Sequence, residues 1–228
     1  MPSFNLENVS FEKNLIMIGV DEAGRGSWAG PLVAASCWID FQQHEKLSSD
    51  INDSKKLTHL KRKQIFKSIS NLVKYSTGIA TEREIDLYGL TFANTIAMKR
   101  SIFSLITTIN SSHINKFDKY MIYVDGKYKP DLNRVDNNLG KNKLNLKPLS
   151  VIPLVKGDTI SMTVALASII AKETRDSIMR HYSLIYTNYS FDSHYGYGTA
   201  KHREEISKYG VLSLHRKSFK PVSTIFSK

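Results

Sequence analysis

The run of apolar and polar positions divides this chain into short, uniformly apolar segments and longer ones with helical spacing. Leu15 to Val20, LIMIGV, is an apolar run of strand length, and Leu32 to Ile39, LVAASCWI, is a second that begins after the Gly30-Pro31 break. Between Thr58 and Val73 the residues Leu60, Ile65, Phe66, Ile69, Leu72 and Val73 recur at helical spacing with basic residues between them, which predicts an amphipathic helix with a basic outer face. Tyr75 to Thr81 reads as a weaker strand, and Glu82 to about Ile109 as a long helical pattern interrupted near Gly89. Tyr120 to Val124, YMIYV, predicts another strand, ended by Asp125-Gly126. Ser150 to Val155 predicts a further one, stopped by Lys156-Gly157-Asp158. Ser161 to about Tyr182 is then helical, the chain after Tyr186 is turn-rich, and Ala200 to Tyr209 is helical again.

Strands that alternate with helical segments predict an α/β fold with a mixed sheet, because both tight hairpins and helical crossovers fit the connections. No Pro/Gly/Ser-rich linker separates halves of different character, so one domain over residues 1–228 is expected. Its core spans about 14–185, and a helical, basic C-terminal part spans about 186–228. The Asn133 to Lys147 stretch, rich in Asn and Lys, reads as a solvated loop.

Composition narrows the partners. With 41% hydrophobic residues the chain can build a core, and 32 Lys+Arg against 21 Asp+Glu leave a formal net charge of +11, which favours a polyanion. A single cysteine, Cys37, excludes an internal disulfide and a cysteine-rich zinc site, and reads as a small buried strand residue. No apolar run approaches the roughly 20 residues of a bilayer span. The opening residues MPSFNLENVSFEKN lack a basic start and an apolar stretch, so a cytoplasmic protein with no membrane partner is expected.

The candidate chemistry lies in acids placed where apolar segments stop: Asp21 and Glu22, Asp125, and Asp158. Taken singly, strand-end aspartates more often cap helices or make turns, and spacing does not reveal whether these converge. If they do, they repel one another and need a cation, and an all-oxygen ligand set suits Mg²⁺ or Mn²⁺. Such a site hydrolyses phosphodiesters, in keeping with a basic, polyanion-binding chain. Gly24 and Gly26 leave backbone N–H groups unshielded for a ligand, and Arg25 between them adds a cationic fork.

These residues resemble a known family. DEAGRG at 21–26 resembles the signature of ribonuclease HII. In the family's order follow DSKKL at 53–57, EREID and AMKR within 82–100, VDG at 124–126, KGD at 156–158, ASIIAK at 167–172, GYGT at 196–199 and HRKSF at 215–219. The resemblance implies a ribonuclease H-like fold with a helical C-terminal extension, and metal-assisted endonucleolytic hydrolysis of RNA–DNA hybrids and of single ribonucleotides in duplex DNA. Cutting is expected on the 5′ side of the ribonucleotide, leaving 3′-hydroxyl and 5′-phosphate ends, by a monomer. By the same resemblance Asp21, Glu22, Asp125 and Asp158 hold Mn²⁺ or Mg²⁺, Gly24, Arg25 and Gly26 read the 2′-hydroxyl, and Tyr197 packs on the next deoxyribose.

The remaining candidates rest on residue type and position. Lys55 and Lys56 stand before a helix and suit phosphate contacts, as do Ser168 and Lys172, four apart on one helix face. Asp176, a turn further on, is expected to pair with Arg175 or Arg180 on a charged face rather than bind metal. His194, His202 and His215 are expected at the surface, the commoner place for histidine in a basic protein. Ser27-Trp28 departs from the family's usual proline and small aliphatic residue, as Tyr195 departs from its common lysine.

Overall fold

The computed structural model describes residues 1–47, 50–51, 54, 57–111, 119–132 and 149–226. Its centre is β1 (Leu15–Ala23), which pairs antiparallel with β2 (Leu32–Ile39); β2 in turn pairs antiparallel with β3 (Val73–Ala80). On its other edge β1 pairs in parallel with β4 (Lys119–Asp125), and β4 in parallel with β5 (Leu149–Leu154). The sheet order is β3-β2-β1-β4-β5, so the expected mixed sheet is present, antiparallel in one half and parallel in the other. One boundary differs with consequence: β1 runs through Asp21 and Glu22 rather than stopping at Val20, so strand alternation sends these two carboxylates to opposite faces.

Helices cover both faces. Ile16, Ile18 and Val20 of β1 pack against Ala97, Met98, Ile102, Leu105 and Ile106 of α4 (Leu90–Ser111), while α3 (Glu82–Tyr88) precedes it across Gly89. The interruption expected there is a capped end: Thr81 and Glu84 close a capping box on α3, and Gly89 follows with φ +79°. Opposite, Ala35, Cys37 and Ile39 of β2 meet Ala165, Leu166, Ile169 and Ile170 of α6 (Met162–Ile185), joined by Ile65 and Ile69 of α2 (His59–Ile69). Each fully buried aliphatic side chain here contributes about 1.5–3 kcal/mol. Leu60, assigned to the apolar stripe of α2, is instead exposed, and Arg62 takes a buried place on that helix.

A third apolar cluster lies beyond the sheet. Met179 from α6 and Ala29 pack with Tyr189, Phe191 of α7 (Phe191–His194), Ile206 of α8 (Ala200–Tyr209), Leu214, and Val222 of α9 (Val222–Phe226). The turn-rich C-terminal stretch is thereby fastened to the far end of α6. Among the described residues no helix is long and apolar enough to cross a membrane.

Two contacts set where α6 starts. α1 (Asn5–Glu12), which the apolar pattern does not announce, carries the buried Glu7 to it; Glu7 Oε1 accepts from the Ser161 hydroxyl at 2.6 Å and from the Thr163 N–H at 2.9 Å. A carboxylate there satisfies donors that a helix N-terminus leaves free and complements its dipole. Directly below, Gly19 of β1 has no side chain, and a Cβ at that point would stand 2.5 Å from the Thr163 carbonyl carbon and the Val164 nitrogen. Gly19→Ala forces the strand and the helix backbone apart, with an expected loss of about 1–3 kcal/mol; a urea midpoint equal to wild type would contradict this contact.

Candidate active site

Parallel pairing aligns the acids. β1 and β4 pair as far as Val20 with Val124, so Asp21 and Asp125 follow side by side at the same end of neighbouring strands. β5 runs beside β4, with Leu154 opposite Asp125. The turn after it passes through Lys156 at φ +58° into the short helix α5 (Gly157–Ile160), which carries Asp158. Asp125 Oδ1 accepts from the Gly157 N–H at 2.7 Å, and this bond ties the turn to the strand end. One carboxylate oxygen each from Asp21, Asp125 and Asp158 lies within 4.8 Å of the others.

Glu22 sits outside that group of three oxygens. It points to the other face of β1, where its Oε1 lies 3.4 Å from Arg25 Nη1. Burial pushes the Asp21 carboxyl well above the usual aspartate range, with the charges of Glu22 and Asp125 adding to the rise and the Ser168 hydroxyl opposing it. Burial also raises Glu22, against the Arg25 guanidinium, with the Asp125 charge adding to the rise. Buried carboxylates with raised pKa values and converging oxygens fit a hard divalent cation, which supplies the positive charge the cluster needs.

Asn94 on α4, fully buried, is a residue the sequence did not point to; its amide partly offsets the rise at Glu22. A polar residue within the apolar repeat of a helix was its only signal.

The Gly24-Arg25-Gly26 turn follows β1 immediately. Gly24 has φ +93°, and a Cβ there would meet Arg175 Nε at 2.0 Å, so the turn is possible only because the position is bare. Two fully buried arginines hold this region through backbone carbonyls. Arg175 donates to Pro31 O, Ala29 O and Tyr195 O at 2.9–3.1 Å, and Arg216 to Gly30 O and Arg25 O at 2.8–3.0 Å. Burial depresses both, Arg216 to about 9 with the nearby Arg175 charge contributing. The sequence named Arg175 only as an expected partner of Asp176 and Arg216 only within HRKSF, since a basic residue in a basic chain carries no signal of burial.

Residues 27–29 then run between the two C-terminal motifs. Ser27 bridges to Tyr197, Ala29 bridges to His215, and the Trp28 N–H donates to Gly196 O at 2.7 Å. The Trp28 ring fills the space over Gly198, where a Cβ would stand 2.2 Å from it, and lies under the Arg203 guanidinium at 5.7 Å. The departure at Trp28 thus backs the Tyr197 loop.

The other candidates are placed as follows. Ser168 is buried, and its hydroxyl sits 2.8 Å from Ser54 Oγ and beside Asp21. Lys172 Nζ pairs with Asp176 at 2.8 Å and lies over the rings of Tyr195 and Tyr197, at 4.9 and 5.7 Å from their centroids. Arg175 lies beneath the Tyr197 ring at 5.3 Å. Lys55 and Lys56, like the 133–147 stretch, lie outside the described residues.

Two expectations need correction. Asp176 is not on a charged outer face: it is fully buried and pairs with Lys172, with Arg62 Nη2 3.6 Å away. Arg62 also donates to Glu173 at 2.7 Å, so this inner acid pair meets two cations and differs in kind from the Asp21 cluster. His194, His202 and His215 are not at the surface but buried. They find partners in one another, in Glu205 and in backbone groups, which lets imidazoles enter an apolar cluster.

A mixed five-stranded sheet with carboxylates gathered at the ends of adjacent parallel strands, beside a glycine turn on a basic chain, defines a nuclease of ribonuclease H-like architecture. Comparison with known proteins narrows this. The family model for ribonuclease HII matches residues 18–222, and the chain belongs to that family. It is 38% identical to ribonuclease HII of Ehrlichia ruminantium strain Welgevonden over 99% of this chain and 97% of that protein. It is 43% identical to ribonuclease HII of Pseudothermotoga lettingae over 90% and 78%. The ribonuclease H2 structure from Pyrococcus horikoshii OT3 superposes with a TM-score of 0.65 at 28% identity, covering 93% of this chain and 97% of that one. The Bst ribonuclease HIII structure in complex with Mn²⁺ shares the fold, with a TM-score of 0.69 at 20% identity over 94% of this chain and 70% of that one. The protein is therefore a ribonuclease H endonuclease.

The raised carboxyls make a stability prediction. A group whose pKa is higher folded than unfolded favours folding when protonated, and that contribution is lost as pH rises through the folded value. In metal-free protein at pH 7.5, ionised Asp21 therefore costs stability. Asp21→Asn keeps the acceptor for the Glu22 N–H and removes the charge, so Tm rises by roughly 2–4 °C per kcal/mol relieved. The gap narrows as pH falls and wild-type Asp21 takes up its proton. A variant that melts at or below wild type in chelator at pH 7.5 would contradict this account of the cluster.

Proposed function

We propose that the chain cleaves the RNA strand of RNA–DNA hybrids and DNA duplexes containing single ribonucleotides, on the 5′ side of the ribonucleotide. The observation that carries this reading is the meeting of three carboxylate oxygens within 4.8 Å, next to a glycine turn that buried Arg216 holds by the Arg25 carbonyl and against which buried Arg175 packs at Gly24. The P–O3′ bond to the ribonucleotide's 5′-phosphate breaks as a water oxygen bonds to phosphorus. The departing O3′ takes up a proton, and the products are a 3′-hydroxyl and a 5′-phosphate.

Asp21, Asp125 and Asp158 with Glu22 would hold Mg²⁺ or Mn²⁺. A bound divalent ion supplies an acidified water and charge neutralisation at the leaving oxygen. Ser168 keeps the Asp21 carboxylate turned into the cluster, and the Gly157 N–H does the same for Asp125. Glu22 is offset to the face of β1 where Arg25 lies, an acid and a cation side by side at the edge of the cluster.

Gly24, Arg25 and Gly26 read the 2′-hydroxyl, the one group that separates RNA from DNA at a given nucleotide. Tyr197 packs on the deoxyribose that follows, its ring supported by Arg175 from below and flanked by Lys172. Lys172, a quarter exposed, meets the phosphate between those two sugars, and Lys55 meets a phosphate further along.

End-labelled DNA duplex with one internal ribonucleotide tests the reading, with Mg²⁺, Mn²⁺ or chelator and an all-DNA control. A single metal-dependent cut on the 5′ side of the ribonucleotide is expected; cleavage of the all-DNA duplex at a similar rate would overturn the 2′-hydroxyl assignment. Asp125→Asn keeps the acceptor for the Gly157 N–H yet is expected to lower cleavage by about 100-fold or more while duplex binding stays within about twofold. Wild-type turnover by that variant would remove the metal assignment. Tyr197→Ala is expected to lower the rate on the single-ribonucleotide duplex more than that on a continuous RNA–DNA hybrid, and an unaltered ratio would contradict its role.

A further inference from the structure

The buried histidines of the C-terminal cluster form a directional hydrogen-bond relay. The Leu212 N–H points at His215 Nδ1, 2.9 Å away, and a backbone N–H is always a donor, so His215 Nδ1 accepts. A neutral His215 then carries its proton on Nε2, which faces His202 Nε2 at 3.1 Å. His202 Nε2 must accept, which leaves the His202 proton on Nδ1, 3.0 Å from the Tyr197 carbonyl oxygen. Each tautomer follows from the one before it, and the chain of bonds ends on the backbone of Tyr197.

A second set braces the first. The Gly196 N–H donates to His194 Nδ1 at 3.1 Å, so His194 donates from Nε2 to Glu205 Oε2 at 2.9 Å. The His194 ring stacks on His202 with centroids 4.2 Å apart and planes 12° from parallel. Phe191 and Tyr189 meet the His202 ring edge-on at 5.8 and 6.3 Å. Burial pushes His202 and His215 down to about 4 and lowers His194 as well, so all three rings are neutral at neutral pH, as the relay requires.

The relay also spans the two halves of the recognition region. His215 bridges to Ala29, which follows the glycine turn, while Tyr197 bridges to Ser27. Beside the direct Trp28 N–H to Gly196 O bond, the turn and the Tyr197 loop are thus joined a second time by bonds that pass through His215 and His202. We propose that His202 and His215 are positioning residues that set the Tyr197 loop against the Gly24-Arg25-Gly26 turn, and so set the preference for a ribonucleotide followed by a deoxyribonucleotide. This rests on the reading of Tyr197 given above.

The experiment compares kcat/KM on a duplex with one ribonucleotide and on a continuous RNA–DNA hybrid, in Mn²⁺, for wild type and four variants. His202→Phe keeps the aromatic packing and loses the donor to Tyr197 O, so the ratio of the two rates falls by roughly fivefold. His202→Asn restores a donor near the Nδ1 position and brings the ratio back to within about twofold of wild type. His215→Leu lowers the ratio in the same way and His215→Gln restores it, which provides the test a second time if His202→Phe does not fold. Tyr197→Ala runs beside them. A ratio that falls for Tyr197→Ala but not for His202→Phe or His215→Leu overturns the relay, as does an equal loss on both substrates or a failure of the Asn and Gln variants to recover it. A ratio unmoved by Tyr197→Ala itself overturns the reading of that residue, and the relay's role with it.

Discussion

The parallel pairing of β1 with β4 is the constraint on which the rest depends. Because the register runs to Val20 opposite Val124, two aspartates must leave neighbouring strands at the same level, and their charges meet with little water between them. That arrangement opposes folding, and the sheet sustains it through its apolar faces: Ile16, Ile18 and Val20 against α4, and Gly19 against the backbone of α6. A reactive cluster is thus held in place by packing that has no part in its chemistry. The close approach at Gly19, with Glu7 on the donors at the start of α6, sets the height from which that helix delivers Ser168 to Asp21.

The recognition side is governed by a different economy of charge. Arg175 and Arg216 are fully buried and donate hydrogen bonds to carbonyls of the turn and loops around them. A guanidinium can satisfy several carbonyls at once because its donors diverge in a plane, so one side chain stitches segments that no regular secondary structure joins. The histidine relay continues this stitching in neutral form, where a third buried cation would add repulsion to the two already present.

Much of this was legible in residue order. The strands were visible as short apolar runs, the break at Gly89 as a glycine inside a helical repeat, and the α/β class as their alternation. The acids stood out because each follows such a run, and the ribonuclease HII motifs occur in order along nearly the whole chain. The misses have common causes. α1 was not marked by apolar periodicity, since its structural contribution is one buried carboxylate, Glu7. Asp176, Arg62, Arg175, Arg216 and the three histidines are polar residues in buried places, and each finds its partners only once the chain is folded: Arg62 meets Glu173 across 111 positions, Arg216 meets Gly30 across 186, and His202 meets His215 across 13.

What the chain by itself determined was most of the strands and helices and the four acids at the strand ends, because those depend on neighbours a few positions away. What only the tertiary structure decided was which of these side chains meet. Convergence of Asp21, Asp125 and Asp158 is a consequence of strand register, the offset of Glu22 a consequence of β1 continuing to Ala23, and the tautomers of His202 and His215 a consequence of the Leu212 N–H that donates to His215 and the Tyr197 carbonyl that accepts from His202. Local propensity acts within one element, whereas strand register and hydrogen-bond partnership join separate segments, from His202 with His215 across 13 positions to Arg216 with Gly30 across 186, and only the folded chain specifies those.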